Sequence, residues 1–203
     1  MKLYWSSRSP YARKVMAFAH EAGVAERIET VRTLVSMTAP NKDLMKVNPV
    51  AKIPTLVTDD GLVLFDSSVI CEYLDGLHGG AKLFPAGPGR WPALRWQAFG
   101  NNLLDNLVPW RNERLRPQPQ QSPETLAAFE LKVRNAVSVL EAEAEALART
   151  QVGIGHVTLA VALGYIDFRF GDLGWRKGNP RIAAWHELFS RRPSMQATVP
   201  VDA

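Results

Sequence analysis

The stretch from Asn48 to Ser67 constrains the fold of this sequence more tightly than any other: Asn48-Pro49-Val50-Ala51-Lys52-Ile53-Pro54-Thr55-Leu56-Val57-Thr58-Asp59-Asp60-Gly61-Leu62-Val63-Leu64-Phe65-Asp66-Ser67. Thr55 to Val57 and Leu62 to Phe65 are short apolar, β-branched runs on either side of Asp60-Gly61, the strongest short-range signal for a β-hairpin. Pro54 cannot donate to a strand ladder, so it opens a strand or sits in a turn. A cis Ile53-Pro54 bond would turn the Ile53 amide and carbonyl outward as an edge for an extended peptide. After the hairpin, Asp66-Ser67 begins an amphipathic segment with Val69, Ile70, Tyr73, Leu74 and Leu77 at helical spacing. Ser67 is the expected N-cap, and the helix start is expected to favour an anion.

The residues before this stretch complete a recognisable order. Lys2 to Trp5 reads as a strand, and Ser9-Pro10 reads as a helix start, serine capping and proline at the first helical position. That helix runs through Val15, Met16 and Ala19 to Gly23, and Ile28 to Leu34 reads as a second strand. Strand, helix, strand, then helix, hairpin and helix is the thioredoxin-like order, expected over residues 1–78. The dense breaker cluster of Gly79, Gly80, Pro85, Gly87, Pro88 and Gly89 marks a linker at 79–89. Residues 90–203 then read as all-helical. Trp91 to Leu107 carries an apolar stripe, Glu124 to Arg149 is one long amphipathic helix, Gly155 to Phe170 is apolar on most faces, and Pro180 to Ser190 gives the last helix. The fold class is therefore α/β plus all-α: a thioredoxin-like domain followed by an all-helical one.

Composition narrows the function classes. With 203 residues, 46% of them hydrophobic and 22% charged, the chain reads as globular. It has no run of about 18 apolar residues and no apolar leader, so neither a membrane span nor a secretory signal is expected. One cysteine rules out an internal disulfide and suits the cytoplasm. The charge of +4 and pI near 9.4 raise a nucleic-acid reading, but the lysines and arginines are scattered; Asn112, Glu113 and Leu115 interrupt even Arg111 to Arg116. The four histidines lack ligand spacing, so no metal is expected.

One ligand suits the features of the opening stretch together. A small peptide with a free carboxylate and an ammonium at one end, and an extended backbone, would set its carboxylate on the amides at Ser67, its ammonium near Asp66, and its backbone against Ile53. Glutathione has that form. On Ser9-Pro10-Tyr11-Ala12-Arg13-Lys14-Val15, Asn48 to Leu56 with Pro54, the Asp66-Ser67 pair, and Gly164-Tyr165-Ile166-Asp167-Phe168-Arg169, the chain resembles the soluble bacterial glutathione transferases, serine-type members near the nu, zeta and phi groups. The likeness runs along essentially the whole chain.

The resemblance implies site residues. Ser9 lies where phi and zeta transferases keep a catalytic serine, with Ser6 and Ser7 as alternates in the same loop. Its hydroxyl would donate a hydrogen bond to the glutathione sulfur and favour the thiolate, the reactive form. No base able to take the Ser9 proton is evident nearby, so a nucleophilic serine is not expected. Ile53 and Pro54 would serve backbone pairing, Asp66 and Ser67 the γ-glutamyl end, and Lys52 the glycine carboxylate, with Asn41 and Lys42 weaker candidates for that last task. Tyr11, Trp110, Arg111 and Phe168 are candidates for an electrophile pocket, each with a plain packing alternative. Cys71 reads as a small buried hydrophobe.

Two departures from the family pattern stand out. The buried helix of the second domain commonly opens on Ser or Thr with Asp three residues later, a capping arrangement; this chain has Gly153-Ile154-Gly155-His156, so a weakened helix start is expected, at about 1 kcal/mol for a lost cap. Related proteins also carry an acidic residue in the helix from Trp91 that reaches the neighbouring subunit's glutathione, where this chain has Asn101 and Asn102 before Asp105; a weaker hold on the ammonium follows. The expected activity is transfer of glutathione to a small apolar electrophile by a cytoplasmic homodimer, with no nucleic-acid, membrane or metal partner. The alternatives are glutathione-dependent reduction, thiol transfer or dehalogenation, and a non-catalytic glutathione-binding regulatory or stress protein.

Overall fold

The computed structural model describes residues 1–80 and 82–202. Its elements are β1 (Lys2–Trp5), α1 (Pro10–Glu21), β2 (Glu29–Arg32), α2 (Lys42–Met45), β3 (Thr55–Val57), β4 (Val63–Leu64), α3 (Ser67–Asp75), α4 (Arg90–Arg114), α5 (Pro123–Arg149), α6 (Ile154–Arg169), α7 (Pro180–Ser190) and α8 (Pro193–Gln196). The chain divides into two compact units: Met1–Ala86 with the tail from Pro193, and Gly87–Arg192. The second unit begins inside the expected linker. The final segment differs from the expected 90–203 helical domain, because it packs with the first unit.

In that first unit the strands form one mixed sheet in the order β2-β1-β3-β4. β1 runs parallel to β2 and antiparallel to β3, and β3 runs antiparallel to β4. This is the thioredoxin-like arrangement. Leu3 and Leu56 from the sheet, Val15 and Phe18 from α1, and Ile70 and Leu74 from α3 are all completely buried, and together they make the apolar core that holds such a small sheet. The Asp75 carboxylate at the end of α3 accepts the amides of Leu83 and Phe84 at 2.9 and 3.3 Å, fixing Phe84 against Phe18 with ring centroids 5.7 Å apart. The short α8 was not expected from sequence. It is held to α1 by an Arg13 guanidinium hydrogen bond to the Met195 carbonyl and by Ser194 donating to Glu21. A four-residue helix has too little pattern of its own to reveal which body it joins.

The second unit is mostly helical. α4 continues past Leu107, where the apolar stripe ends and Pro109 interrupts the sequence pattern, to Arg114. Packing outweighs the proline here: Trp110 is buried and stacked on Phe170, centroids 4.5 Å apart. α4 and α6 meet through two glycines. A Cβ on Gly155 would lie 2.6 Å from the Trp96 Cβ and 2.9 Å from the Ala93 carbonyl, and one on Gly100 would lie 2.7 Å from the Thr158 methyl.

The missing cap on α6 is made good in another way. Gly153 has no side chain to cap with, but His156 Nδ1 accepts the Gly153 amide at 3.2 Å, while its Nε2 lies 3.1 Å from the Leu147 carbonyl. One ring thus ties the helix start to the end of α5. The arrangement requires a neutral imidazole with its proton on Nε2. Burial holds the His156 pKa below its ordinary value, with Arg192 adding to the effect and the Leu147 carbonyl opposing it.

Two predictions follow from this unit. Gly155→Ala should lower stability by about 1–3 kcal/mol, the usual cost of forcing atoms into a packed contact, read as a shift in the denaturant midpoint; an unchanged midpoint would show that α4 and α6 separate without cost. Because the unfolded chain binds a proton at His156 more readily than the folded one, the stability due to this group is complete above about pH 6.5 and falls as the pH drops through the depressed native value. Thermal midpoints measured between neutral and mildly acidic pH should therefore fall less steeply in His156→Gln than in the wild type. Parallel slopes would contradict this.

Candidate functional site

Strand register collects the sequence-predicted residues of the first unit at one end of its sheet. Tyr4 pairs with Thr55 and Leu56 with Leu64. β1 therefore leaves the sheet at Trp5, β3 enters it at Thr55, and β4 leaves it at Leu64, all at the same end. The Ser6–Ser9 loop, the Lys52–Pro54 turn and the Asp66–Ser67 helix start are the connections at that end.

The three serines of the first loop have different partners. Ser7 donates its hydroxyl to the Val201 carbonyl at 3.0 Å, and Ser6, buried, accepts the Arg8 amide at 3.4 Å. Ser9 is the N-cap of α1, and its Oγ accepts the Ala12 amide at 3.3 Å. Capping uses the oxygen lone pair and leaves the hydroxyl proton for another acceptor. Among the described residues, no hydrogen bond joins this hydroxyl to a histidine, aspartate or glutamate.

The Ile53-Pro54 bond is cis. The turn before it is braced by Asn48, which is completely buried: its Nδ2 donates to the Lys52 carbonyl at 3.1 Å and to Thr55 Oγ1 at 2.8 Å, and its Oδ1 accepts the Val50 amide at 3.2 Å. Thr55 Oγ1 in turn donates to the Lys52 carbonyl at 2.8 Å. These bonds hold Ala51 at a φ of 51°, a left-handed conformation uncommon for a residue with a Cβ. Asn48 and Thr55 were not among the expected site residues, although an asparagine ahead of a turn and a proline is a usable signal for a side chain that bonds nearby backbone. Lys52 is exposed. Asn41 is committed elsewhere, since its Oδ1 caps α2 at the Asp43 and Leu44 amides and its Nδ2 donates to the Leu34 carbonyl.

At the third connection the cap lies one residue earlier than expected. Asp66, not Ser67, is the N-cap of α3, with its Oδ1 accepting the Ser68 amide at 2.8 Å. The aspartate carboxylate reaches two residues ahead, which moves Ser67 into the first helical position, where it is 2% exposed. Its amide still lies among the first donors of the helix, which have no intrahelical acceptor. An ammonium and a carboxylate can thus be offered adjacent partners, the Asp66 side chain and the helix amides. Behind this turn lies a feature not anticipated from sequence, the fully buried Lys14 of α1, whose Nζ donates to Ser68 Oγ at 3.4 Å. Cys71, one turn further along α3, is fully buried, and burial pushes its thiol up to about 12; it is not a reactive thiolate.

The electrophile candidates belong to different units. Tyr11 lies in the first turn of α1 in the first unit. In the second unit, Trp110 is stacked into the interior, Phe168 carries the Arg169 guanidinium 3.8 Å above its ring centroid, and Arg111 is half-buried in the last turn of α4. Among the described residues there is no group of three or more His, Cys, Asp or Glu able to hold a metal ion, and no helix is long and apolar enough to cross a membrane.

Comparison with known proteins gives the family. The glutathione S-transferase N-terminal domain matches residues 8–77, and the glutathione S-transferase C-terminal domain matches residues 123–188. The chain is 30% identical over 206 positions to the uncharacterized GST-like protein YibF of Escherichia coli strain K12, covering 100% of both. It is also similar to the crystal structure of a glutathione transferase family member from Pseudomonas fluorescens Pf-5 with bound glutathione, at 41% identity and a TM-score of 0.95 over 98% of each chain. A crystal structure of a family member from the same organism with bound S-(propanoic acid)-glutathione gives 40% identity and a TM-score of 0.90, covering 99% of this chain and 100% of that one. With both domains matched in order and a relative aligned along its full length, the chain belongs to the glutathione S-transferase family.

Proposed function

We propose that this protein is a glutathione S-transferase that binds glutathione at the loop end of its sheet, stabilises the thiolate through Ser9, and transfers it to a small apolar electrophile. The observation that carries this reading is the strand register, which collects the Ser9, Ile53 and Asp66–Ser67 connections at one end of a single sheet. Glutathione bound to the similar Pseudomonas structures supports the choice of ligand. The extended tripeptide pairs its cysteine backbone with the Ile53 amide and carbonyl, as a peptide adds to a sheet edge. Its γ-glutamyl ammonium meets Asp66, its γ-glutamyl carboxylate meets the Ser67 amide, and Lys52 meets the glycine carboxylate.

The thiol then lies at Ser9. Lowering a thiol pKa from ~8.5 to ~6.5 needs about 2.7 kcal/mol of preferential stabilisation of the anion. A hydrogen bond to a charged group supplies roughly 1.5–3 kcal/mol, and the N-terminus of α1 adds about 0.3–1. The two terms suffice, so Ser9 remains a neutral donor throughout. The thiolate sulfur forms the new carbon–sulfur bond, and the electrophile's leaving group departs with the electron pair or, in an addition, a proton is taken up from solvent. The homodimer is the proposed assembly, and the cytoplasm is the proposed location.

Ser9→Ala separates catalysis from binding. Its kcat/KM with glutathione and 1-chloro-2,4-dinitrobenzene should fall about 10–100-fold, the range expected for one lost charge-assisted hydrogen bond. The calorimetric Kd for glutathione should stay within about threefold of the wild type, because capping and thiol contact contribute little to ground-state binding. An unchanged kcat/KM would remove Ser9 from the mechanism. Glutathione binding in the wild type without turnover of any electrophile would favour a carrier or regulator.

A further inference from the structure

Lys14 has no exposed surface at all, and no other lysine or arginine is as completely buried among the described residues. Water-free burial of an ammonium costs several kcal/mol, and an apolar side chain of similar size serves folding at least as well. Stability alone therefore gives no reason for a charge at this point. Its Nζ donates to Ser68 Oγ at 3.4 Å, and Ser68 gives its own amide to the Asp66 carboxylate at 2.8 Å. Ser68 thus links the two charges, its side chain bonded to Lys14 and its amide to Asp66.

This charge arrangement matters because the Asp66 carboxylate stands at the start of α3. A second carboxylate arriving at the Ser67 amide would meet its repulsion, which the partial charge of a helix terminus only partly offsets. We propose that Lys14 is a positioning residue for the γ-glutamyl carboxylate of glutathione. Its buried ammonium, held behind the first turn of α3 through Ser68, balances Asp66, so the helix start can accept a carboxylate while Asp66 takes the neighbouring ammonium. The proposal rests on the glutathione-binding reading above and deepens it by assigning the selectivity for that one carboxylate. Lys14 does so from inside the protein, without entering the surface that touches the ligand.

The test compares two ligands by calorimetry: glutathione, and 4-aminobutyryl-cysteinylglycine, which is the same tripeptide without the γ-glutamyl carboxylate. Wild-type protein should prefer glutathione. In Lys14→Met, the Kd for glutathione should rise about tenfold, equivalent to 1.4 kcal/mol, with less than about a twofold change for the analogue. Lys14→Arg, which keeps the charge, should restore glutathione affinity to within about threefold. Ser68→Ala removes the hydrogen bond that aims the ammonium, and should weaken glutathione about threefold with the analogue unaffected. If Lys14→Met does not fold, Ser68→Ala and Lys14→Arg decide.

Equal weakening of both ligands would assign Lys14 a merely structural role and overturn the proposal, as would unchanged glutathione affinity in the folded variants, failure of Lys14→Arg to restore binding, or a wild type indifferent to the carboxylate. These results leave glutathione binding itself intact. Absence of glutathione binding in the wild type would overturn both this proposal and the reading it rests on.

Discussion

The antiparallel ladder between β1 and β3 is the constraint on which the rest of the candidate site depends. It pairs Lys2 with Val57, Leu3 with Leu56 and Tyr4 with Thr55. Because side chains alternate along a strand, a slip of one residue would turn the completely buried Leu3 or Leu56 away from the core. The core thus fixes the register, and the register fixes which loops meet at the end of the sheet. The site is then built almost entirely from ends of elements: an N-cap at Ser9, a turn at Ile53-Pro54 and an N-cap at Asp66. Such positions expose backbone donors that a strand or helix interior would consume.

Two of these ends, the Ile53-Pro54 turn and the start of α3, are each supported by a buried polar group. Asn48 satisfies three hydrogen bonds around the turn that presents Ile53. Lys14 reaches from α1 to the first turn of α3. Buried polar groups are costly unless satisfied, so a fully bonded network allows few alternative loop conformations. The second unit uses the same device for a different purpose. There the neutral ring of His156 bonds to both Gly153 and Leu147, and a helix with no capping side chain still has a defined start.

Much of this was legible in the sequence because it is encoded locally. Ser9-Pro10 announces a cap followed by the first helical residue, and the hairpin forms around Asp60-Gly61 as the turn chemistry requires. Pro180 to Ser190 matches α7 from end to end. What escaped depends on contacts distant in sequence. Asp66 and Ser67 are both good caps, and only the folded geometry shows which side chain reaches the Ser68 amide. Lys14 follows Arg13 in a helix and looks like a solvated charge until α3 is seen beside it. His156 resembles an unsuitable residue for a capping position, and its second partner, Leu147, belongs to the preceding helix. The tail from Pro193 has its partners near the other end of the chain, at Arg13 and Glu21.

The central claim is that this sheet end binds glutathione and converts its thiol to thiolate near neutral pH. The measurement that tests it most directly is a titration of wild-type protein with glutathione, following the ultraviolet absorbance of the bound thiolate as a function of pH. The account predicts saturable binding, with a bound thiol pKa about two units below the free value of ~8.5. Saturable binding with an unshifted thiol pKa would contradict the activating role assigned to Ser9, and no binding would contradict the site itself.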